Sequence, residues 1–423
     1  MALRHWRCVP SVGSKVGPGQ SVAHVLQSVR HDDTRRCGSV SGLGLVPPPG
    51  SKVVVAMSGG VDSSVTAALL KRDRQDLVIS AVFMRNWDTR DESGSDAGCE
   101  WEKDWEDVKR VCGRIGIPYQ LKDFSQQYWT RVFTPALEAW TSGRTPNPDV
   151  FCNREIKFGA LFESIIAPGD RSTWLATGHY AKISYHHGRP RLMRAKDKNK
   201  DQTYYLSSVG ESRLRRTLFP LSDLTKPSIR ALAQEMNLPT AERGESMGLC
   251  FVGERRKFDQ FLSEYIPPAK GPILFYPSMK QVGEHKGLHT LTIGQNARVP
   301  GQPKKLFVAR KEGGAIVVVD DVNHPALMCR SVTLIDWKWI SEDAEEVSEL
   351  DKKASTPEGM PIFTQIRHRM TPGLPGILRK SGVTYSLHFH TPIHGVASGQ
   401  IGTAWDGEWC LGCGEIENTV CLE

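Results

Sequence analysis

Lys52-Val53-Val54-Val55-Ala56-Met57-Ser58-Gly59-Gly60-Val61-Asp62-Ser63-Ser64 is a short β-branched run that breaks on two glycines and restarts at once with helical spacing. The run Lys52 to Met57 reads as a buried strand, and Val61, Val65, Ala68 and Leu69 mark one face of the helix that follows. Two glycines at such a turn let a ligand approach the backbone closely, and the free amides of a helix start attract anions. The hydroxyls of Ser58, Ser63 and Ser64 add donors, so the turn reads as a phosphate cradle. It lacks the Gly-Lys-Ser/Thr ending of a Walker loop and the G-x-G-x-x-G spacing of a dinucleotide site.

Outward from the cradle, strand and helix alternate. Leu77 to Met84, Ile117 to Leu121 and Ser172 to Thr177 read as further strands, and Glu102 to Ile115 as an amphipathic helix. That alternation predicts an α/β fold, a parallel sheet with helices on both faces. After about residue 260 helical periodicity fades. Gly and Pro punctuate β-rich runs at Ala315 to Val319, Ser331 to Trp337, Ile362 to Arg367 and Thr384 to His388, predicting one or two small β modules, the last a barrel. The acidic stretch Glu342 to Glu349 reads as a solvated connector.

The 423 residues carry 54 Lys+Arg against 47 Asp+Glu, an excess of +7 that permits a polyanionic partner without requiring one. With 39% hydrophobic residues the chain can build real cores, which excludes a mainly disordered protein. No apolar stretch approaches the ~20 residues of a membrane span. Ten cysteines are spread along the chain; the one close pair, Cys410 and Cys413, has no second pair to complete a zinc site, so no metal ligands are assigned. Residues 1 to 50 stand apart: Arg4, Arg7, Lys15, Arg30, Arg35 and Arg36 face only Asp32 and Asp33, and the segment ends in Pro47-Pro48-Pro49-Gly50. That composition is the pattern of an organellar import signal.

Two cysteines stand out by their neighbours. Cys152 follows Asn147-Pro148-Asp149-Val150-Phe151 at what reads as a helix start, with Arg154 and Lys157 close by, influences that favour thiolate. Cys250 ends Glu245-Ser246-Met247-Gly248-Leu249 and precedes Arg255 and Arg256.

The cradle resembles the pyrophosphate loop of ATP pyrophosphatases. With both cysteines, and with Phe83-Met84-Arg85-Asn86-Trp87, Thr177-Gly178-His179-Tyr180-Ala181, Lys200-Asp201-Gln202-Thr203-Tyr204-Tyr205-Leu206, Gly294-Gln295 and His324-Pro325-Ala326-Leu327, the chain resembles the tRNA-specific 2-thiouridylases from Lys52 onward. The resemblance implies a pyrophosphatase domain over 51–258, a small central domain over 259–325 and a tRNA-binding barrel over 326–423, after a targeting segment over 1–50. It implies that Ala56, Met57, Ser58, Gly59, Gly60, Val61, Asp62 and Ser63 hold ATP phosphates, and that Met84 and Gly178 contact adenosine. Asn147, Pro148 and Asp149 would surround a flipped uridine. His179, Lys200, Asp201, Gln202, Arg367, His368 and Gln400 would face tRNA, helped by the basic run Arg189, Arg191, Arg194, Lys196 and Lys198, which taken alone reads as a solvated hairpin edge.

The activity so implied is ATP- and Mg2+-dependent 2-thiolation of wobble uridine 34, in tRNAs of the Lys, Glu and Gln acceptors. Uridine O2 is adenylated, and sulfur comes from a persulfide on Cys250 supplied by a relay protein downstream of a cysteine desulfurase. Cys152 acts as second thiol, ending in a Cys152–Cys250 disulfide, and Asp149 does acid/base or orienting work. Position 368 is His where bacterial relatives usually have Tyr, and Cys413 stands where Gly is expected. The N-terminal extension, absent from bacterial members, implies the mitochondrial matrix. Two rivals remain in view: an amidotransferase of the GMP synthetase kind, which needs no paired cysteines, and a non-catalytic tRNA-binding protein, which needs no intact cradle.

Overall fold

The computed structural model describes residues 46–87, 100–244, 258–370 and 373–422. Cys250 lies outside these residues, as does the whole basic N-terminal segment up to residue 45.

Five strands form a parallel sheet: β1 (Lys52–Met57), β2 (Val78–Arg85), β3 (Tyr119–Asp123), β4 (Thr173–Thr177) and β7 (Thr217–Leu218), in the order β3-β2-β1-β4-β7. β1 is buried on both faces, which is why it reads as an unbroken apolar run rather than an alternating one. Val53, Val55 and Met57 pack against α1 (Val61–Asp73) and α2 (Glu100–Ile115). Val54 and Ala56 pack on the other face, with Phe133 and Ile156. The second of these clusters includes α3, one continuous helix wound normally over Pro148–Phe151, widely as a π-helix over Cys152–Leu161, and normally again over Phe162–Ile165.

The β-rich half holds two modules. β8 (Gly271–Phe275), β9 (Lys280–His285), β10 (Phe307–Glu312) and β11 (Ala315–Val319) form a four-stranded sheet in the order β10-β11-β8-β9. β12 (Met328–Trp339), β13 (Met360–Gln365), β14 (Leu374–Ser381), β15 (Thr384–His394), β16 (Ile401–Asp406) and β17 (Trp409–Cys421) form a six-stranded barrel, closed because β12 pairs with both β15 and β17. Closure leaves no open barrel edge.

Two regions differ from their reading in the sequence. The acidic stretch is no connector. Asp343 caps α5 (Ala344–Ala354), accepting from the amide of Glu346, and the helix buries Leu350 and Ala354 against the barrel core. The basic run is a solvated edge only at its end, where Lys196 and Lys198 are exposed beyond β6. Its arginines lie in the hairpin of β5 (Ala181–His186) and β6 (Arg189–Arg194), whose Met193 pairs with Trp409 of β17 and so ties the first domain to the barrel. Its arginines are consumed internally: Arg189 pairs with Glu211, Arg191 lies 3.7 Å over the Trp409 ring, and Arg194 is buried 3.6 Å over Trp405.

Candidate functional site

β1 and β4 are adjacent, but the chain leaves them towards opposite ends of the sheet, so their carboxyl ends mark a topological switch point, where ligands of open α/β sheets bind. Ala56 and Met57 end β1 there, and Ser58, Gly59 and Gly60 make the turn into α1. Gly59 has φ +75°, and a Cβ on it would lie 2.7 Å from the backbone oxygen of Asp104, so only glycine fits. Gly60 caps α1 without a side-chain hydrogen bond, which leaves the first-turn amides of Val61, Asp62 and Ser63 to an external acceptor. The hydroxyls shape the turn instead of adding free donors: Ser63 Oγ accepts from the Ser58 amide at 3.1 Å, and Ser63 and Ser64 donate to the Gly60 carbonyl at 3.1 and 2.8 Å. The donors that the turn offers to a ligand are therefore backbone amides.

Three side chains brace the cradle, and none was signalled by the motif. Lys226, the first residue of α4 (Lys226–Glu235), grips Asp62 through both carboxylate oxygens at 2.7 and 2.8 Å. The Tyr180 hydroxyl donates to the same carboxylate at 2.9 Å. Arg243 donates to the Gly59 carbonyl at 2.9 Å and pairs with Asp104 and Asp107 of α2. Asp62 thus acts on the loop through its partners.

Gly178 follows β4 and closes the crevice. A Cβ there would sit 2.8 Å from the Ser63 amide nitrogen. Met84, near the carboxyl end of β2, is half-buried on the same edge of the sheet. His179 is buried between Phe158 and Phe219. Lys157 Nζ lies 3.3 Å from its Nε2. An ammonium can only donate, so Nε2 accepts, Nδ1 carries the proton, and that proton is donated to Thr177 Oγ1 at 2.9 Å. Burial holds the imidazole well below its ordinary pKa, and the Lys157 cation pushes the same way, so the ring is neutral. Burial also raises the Asp149 carboxyl, against the opposing pull of Lys157. Lys157 thereby links the cradle side of the crevice to the carboxylate beside Cys152.

Asn147 caps α3, its Oδ1 accepting from Val150 at 3.4 Å, and Pro148 takes the first helical position. Cys152 comes one turn in, its amide already bonded within the helix, so it is not at the free helix end that the sequence suggested. Arg154 is hydrogen-bonded to Glu155 at 2.7 Å and lies 5.1 Å over the Phe151 ring. The segment before Asn147 is clamped from the two β modules. Lys311 of the central sheet donates to the Gly143 carbonyl at 2.8 Å, and its ammonium is pushed down to about 8 by burial. From the barrel side, Gln400 donates to the Thr145 carbonyl at 2.6 Å, the Thr145 amide donates to Ser398 at 2.7 Å, and Glu415 pairs with Arg144.

Residues 51–254 match the family model described as tRNA methyl transferase HUP domain, 259–320 the tRNA methyl transferase PRC-barrel domain, and 329–416 the aminomethyltransferase beta-barrel domain. The chain is 39% identical over 379 residues to the tRNA-specific 2-thiouridylase MnmA of Alkaliphilus oremlandii, covering 88% of this chain and 99% of that one. It is 38% identical over 375 residues to the Bacillus subtilis protein of the same name, covering 88% and 96%. The chain belongs to the tRNA-specific 2-thiouridylase family. Among solved structures, a U34-tRNA thiolase NcsA from Methanococcus maripaludis with its [4Fe-4S] cluster covers 52% of this chain and 65% of its own, at 17% identity and a TM-score of 0.32.

Of the residues that the 2-thiouridylase resemblance turned towards tRNA, several are occupied inside the fold. The Asp201 carboxylate is buried, accepting from the Ala195 amide at 2.7 Å and the Thr203 hydroxyl at 2.8 Å, with Arg194 3.5 Å away. Gln202 accepts from the Tyr180 amide at 3.1 Å, and the side chains of His179 and Gln400 are engaged as described. Arg367 donates to the Gly395 carbonyl at 3.1 Å. His368 stacks on Tyr205, ring centroids 4.5 Å apart and planes 24° from parallel. Tyr205 is close enough to Asp149 for the carboxylate to raise its hydroxyl pKa further, beyond the rise that burial produces. The sequence did not single out Tyr205. Its only signal was a place in the Lys200 to Leu206 motif.

Proposed function

We propose that this chain is an ATP-dependent tRNA-uridine 2-sulfurtransferase that thiolates wobble uridine 34 of mitochondrial tRNAs. The observation that carries the reading is the joining of two half-sites. Gly178 lies against Ser63 of the cradle, the adjoining His179 contacts Lys157, and the Lys157 cation acts on Asp149 of α3, so a short chain of contacts runs from the cradle to the Asp149–Cys152 turn.

The cradle fits a triphosphate. Gly59 and Gly178 leave the space that side chains would fill, and the α1 amides are uncapped. They would bind the phosphates of ATP and stabilise charge as pyrophosphate leaves. Magnesium, arriving with the nucleotide, would neutralise phosphate charge. Met84 and Gly178 would border the adenosine. Asn147, Pro148 and Asp149 would hold the extruded uridine so that its O2 attacks the α-phosphate, with Asp149 orienting the base or moving its proton.

Sulfur would then arrive as a persulfide on Cys250 from a donor protein. It would reach C2 directly, or as hydrosulfide released when the Cys152 thiolate attacks; both routes leave a Cys152–Cys250 disulfide to be reduced. The arginine-rich, acid-poor residues 1–50 support import into the mitochondrial matrix, and tRNAs of the Lys, Glu and Gln acceptors are the proposed substrates.

Pyrophosphate release measured with and without unmodified tRNA tests the first half. Release that depends on tRNA supports the reading, and release without an RNA requirement overturns it. Radiolabelled sulfur tests the second half: label should rest on Cys250 in Cys152→Ser, and 2-thiouridine formed by Cys250→Ser would defeat the persulfide route. A fluorescent reporter fused to residues 1–50 should enter mitochondria; a diffuse cytosolic signal would refute import.

A further inference from the structure

Two cysteines outside the proposed reaction face each other across the seam that closes the barrel. β12 and β17 run antiparallel there, and Cys329 lies directly opposite Cys421, one residue before the bulge that ends the regular pairing. Directly opposed residues of an antiparallel pair have Cα atoms about 4.5 or 5.5 Å apart. A disulfide spans about 4.4–6.8 Å between Cα atoms, a range that includes the spacing of directly opposed residues. The Leu422 amide donates to the Met328 carbonyl at 3.0 Å, which holds the residue after Cys421 on the seam.

The two thiols differ as an attacking and a resolving thiol must. Cys329 is fully buried, whereas Cys421 is partly exposed. Cys329 donates its thiol proton to the Ser331 carbonyl at 3.2 Å. The neighbouring Cys329, helped by Thr419, lowers the Cys421 thiol, whereas Cys421 and burial raise that of Cys329. The other cysteines of the described fold, Cys152 apart, are poor competitors. Burial pushes Cys112 up to about 11 and raises Cys410 and Cys413.

We propose that Cys329 and Cys421 are a redox pair, which a hydroperoxide converts into a cross-strand disulfide stapling the C-terminal strand to the barrel seam. The Cys421 thiolate attacks the O–O bond, taking one oxygen as sulfenic acid while the other leaves as water or alcohol. The Cys329 sulfur then attacks the sulfenic sulfur, displacing a second water and forming the S–S bond. Two thiols lose two electrons and two protons, and the peroxide takes them up.

The test uses the full chain, reduced, freed of reductant, titrated with hydrogen peroxide and then alkylated. Peptide mapping should find Cys329 and Cys421 in one linked species, lighter by two hydrogen masses than the two reduced peptides together, and lost on reduction. Cys421→Ser should abolish that species, and Cys329→Ser should leave Cys421 as a sulfenic acid captured by dimedone. Wild-type Cys421 that passes to sulfinic or sulfonic acid without linkage would overturn the proposal. So would recovery of both residues as alkylated thiols after Cys152 has been oxidised. Because Cys421 is only partly buried and is the last residue of β17, its serine variant keeps the test decisive even where the buried Cys329→Ser fails to fold.

Discussion

Lys226 and Asp62 are 164 residues apart in sequence, yet the ammonium of one sits 2.7 and 2.8 Å from the two carboxylate oxygens of the other. The pair fastens the first turn of the cradle helix to α4, with Tyr180 as third member. Lys226→Met should therefore weaken ATP binding without touching a phosphate contact, raising the ATP concentration for half-maximal tRNA-dependent pyrophosphate release by about tenfold. A hydrogen-bonded charge pair is worth roughly 1.5–3 kcal/mol. A double-mutant cycle with Asp62→Asn should return a coupling in that range, and additive losses would mean that the two residues act separately.

Gly178 offers a sharper steric test. A methyl group there would sit 2.8 Å from the Ser63 amide nitrogen and 3.0 Å from the Asp62 carbonyl carbon, both backbone atoms that cannot swing aside. Gly178→Ala should abolish ATP binding in calorimetry while leaving tRNA affinity within about twofold, since the strain is confined to the cradle.

The Asp149 carboxyl is raised by burial and pulled back by the Lys157 cation. If the carboxylate form is needed, activity falls as pH drops through its pKa. Lys157→Met removes the opposing cation, so that pKa should rise and the acid limb of single-turnover thiolation should move to higher pH. Asp149→Asn should eliminate the limb together with most of the rate. An acid limb unmoved in Lys157→Met would place the titrating group elsewhere.

What the sequence disclosed follows the range of the interactions involved. β1 and the first helix were legible because strand and helix periods are local, and β1 is observed over the same residues as expected, Lys52–Met57. The turn from β1 into α1 was legible for the same reason, but α3 begins at Pro148, one turn ahead of the start read at Cys152. The side chains that hold them were not. Lys311 reaches Gly143 across 168 residues and Gln400 reaches Thr145 across 255, and no local pattern announces such pairs. Charge misled where its partners were distant: Arg189, Arg191 and Arg194 read as a solvated hairpin edge, yet Glu211, Trp409 and Trp405 occupy them. The acidic stretch of α5 hid two core residues, Leu350 and Ala354, behind its charges.

That redistribution of charge separates two kinds of cation. Lys198 is exposed and Lys200 is half-buried on the turn after β6. Neutralising both should flatten the log–log salt dependence of tRNA binding by about one to two units, with Lys198 contributing less because it already pairs with Glu408. Arg194→Met should leave the slope unchanged and instead destabilise the protein. It strands the buried Asp201 carboxylate, a loss of about 3–5 kcal/mol seen as a lower unfolding midpoint.

The clamp on the reaction loop gives a prediction in which stability and rate respond differently. Burial lowers the Lys311 ammonium to about 8 from its ordinary 10.5. Between those values the unfolded chain binds the proton and the folded chain does not, so this group makes stability rise with pH across about 8 to 10.5. In Lys311→Met that increment should vanish, leaving a smaller gain in unfolding midpoint over the same pH range than the wild type shows. On the barrel side, a Cβ on Gly399 would meet the Thr145 backbone at 2.9 Å, and Gln400 holds the same residue's carbonyl. Gly399→Ala and Gln400→Leu should displace the lead into Asn147 and Asp149, lowering the single-turnover thiolation rate by about a hundredfold, as small misplacements of reacting groups do. ATP binding to the cradle should survive, because the cradle is braced by Lys226, Tyr180 and Arg243 rather than by the barrel. Equal loss of ATP binding and thiolation in Gln400→Leu would show instead that the barrel supports the whole crevice.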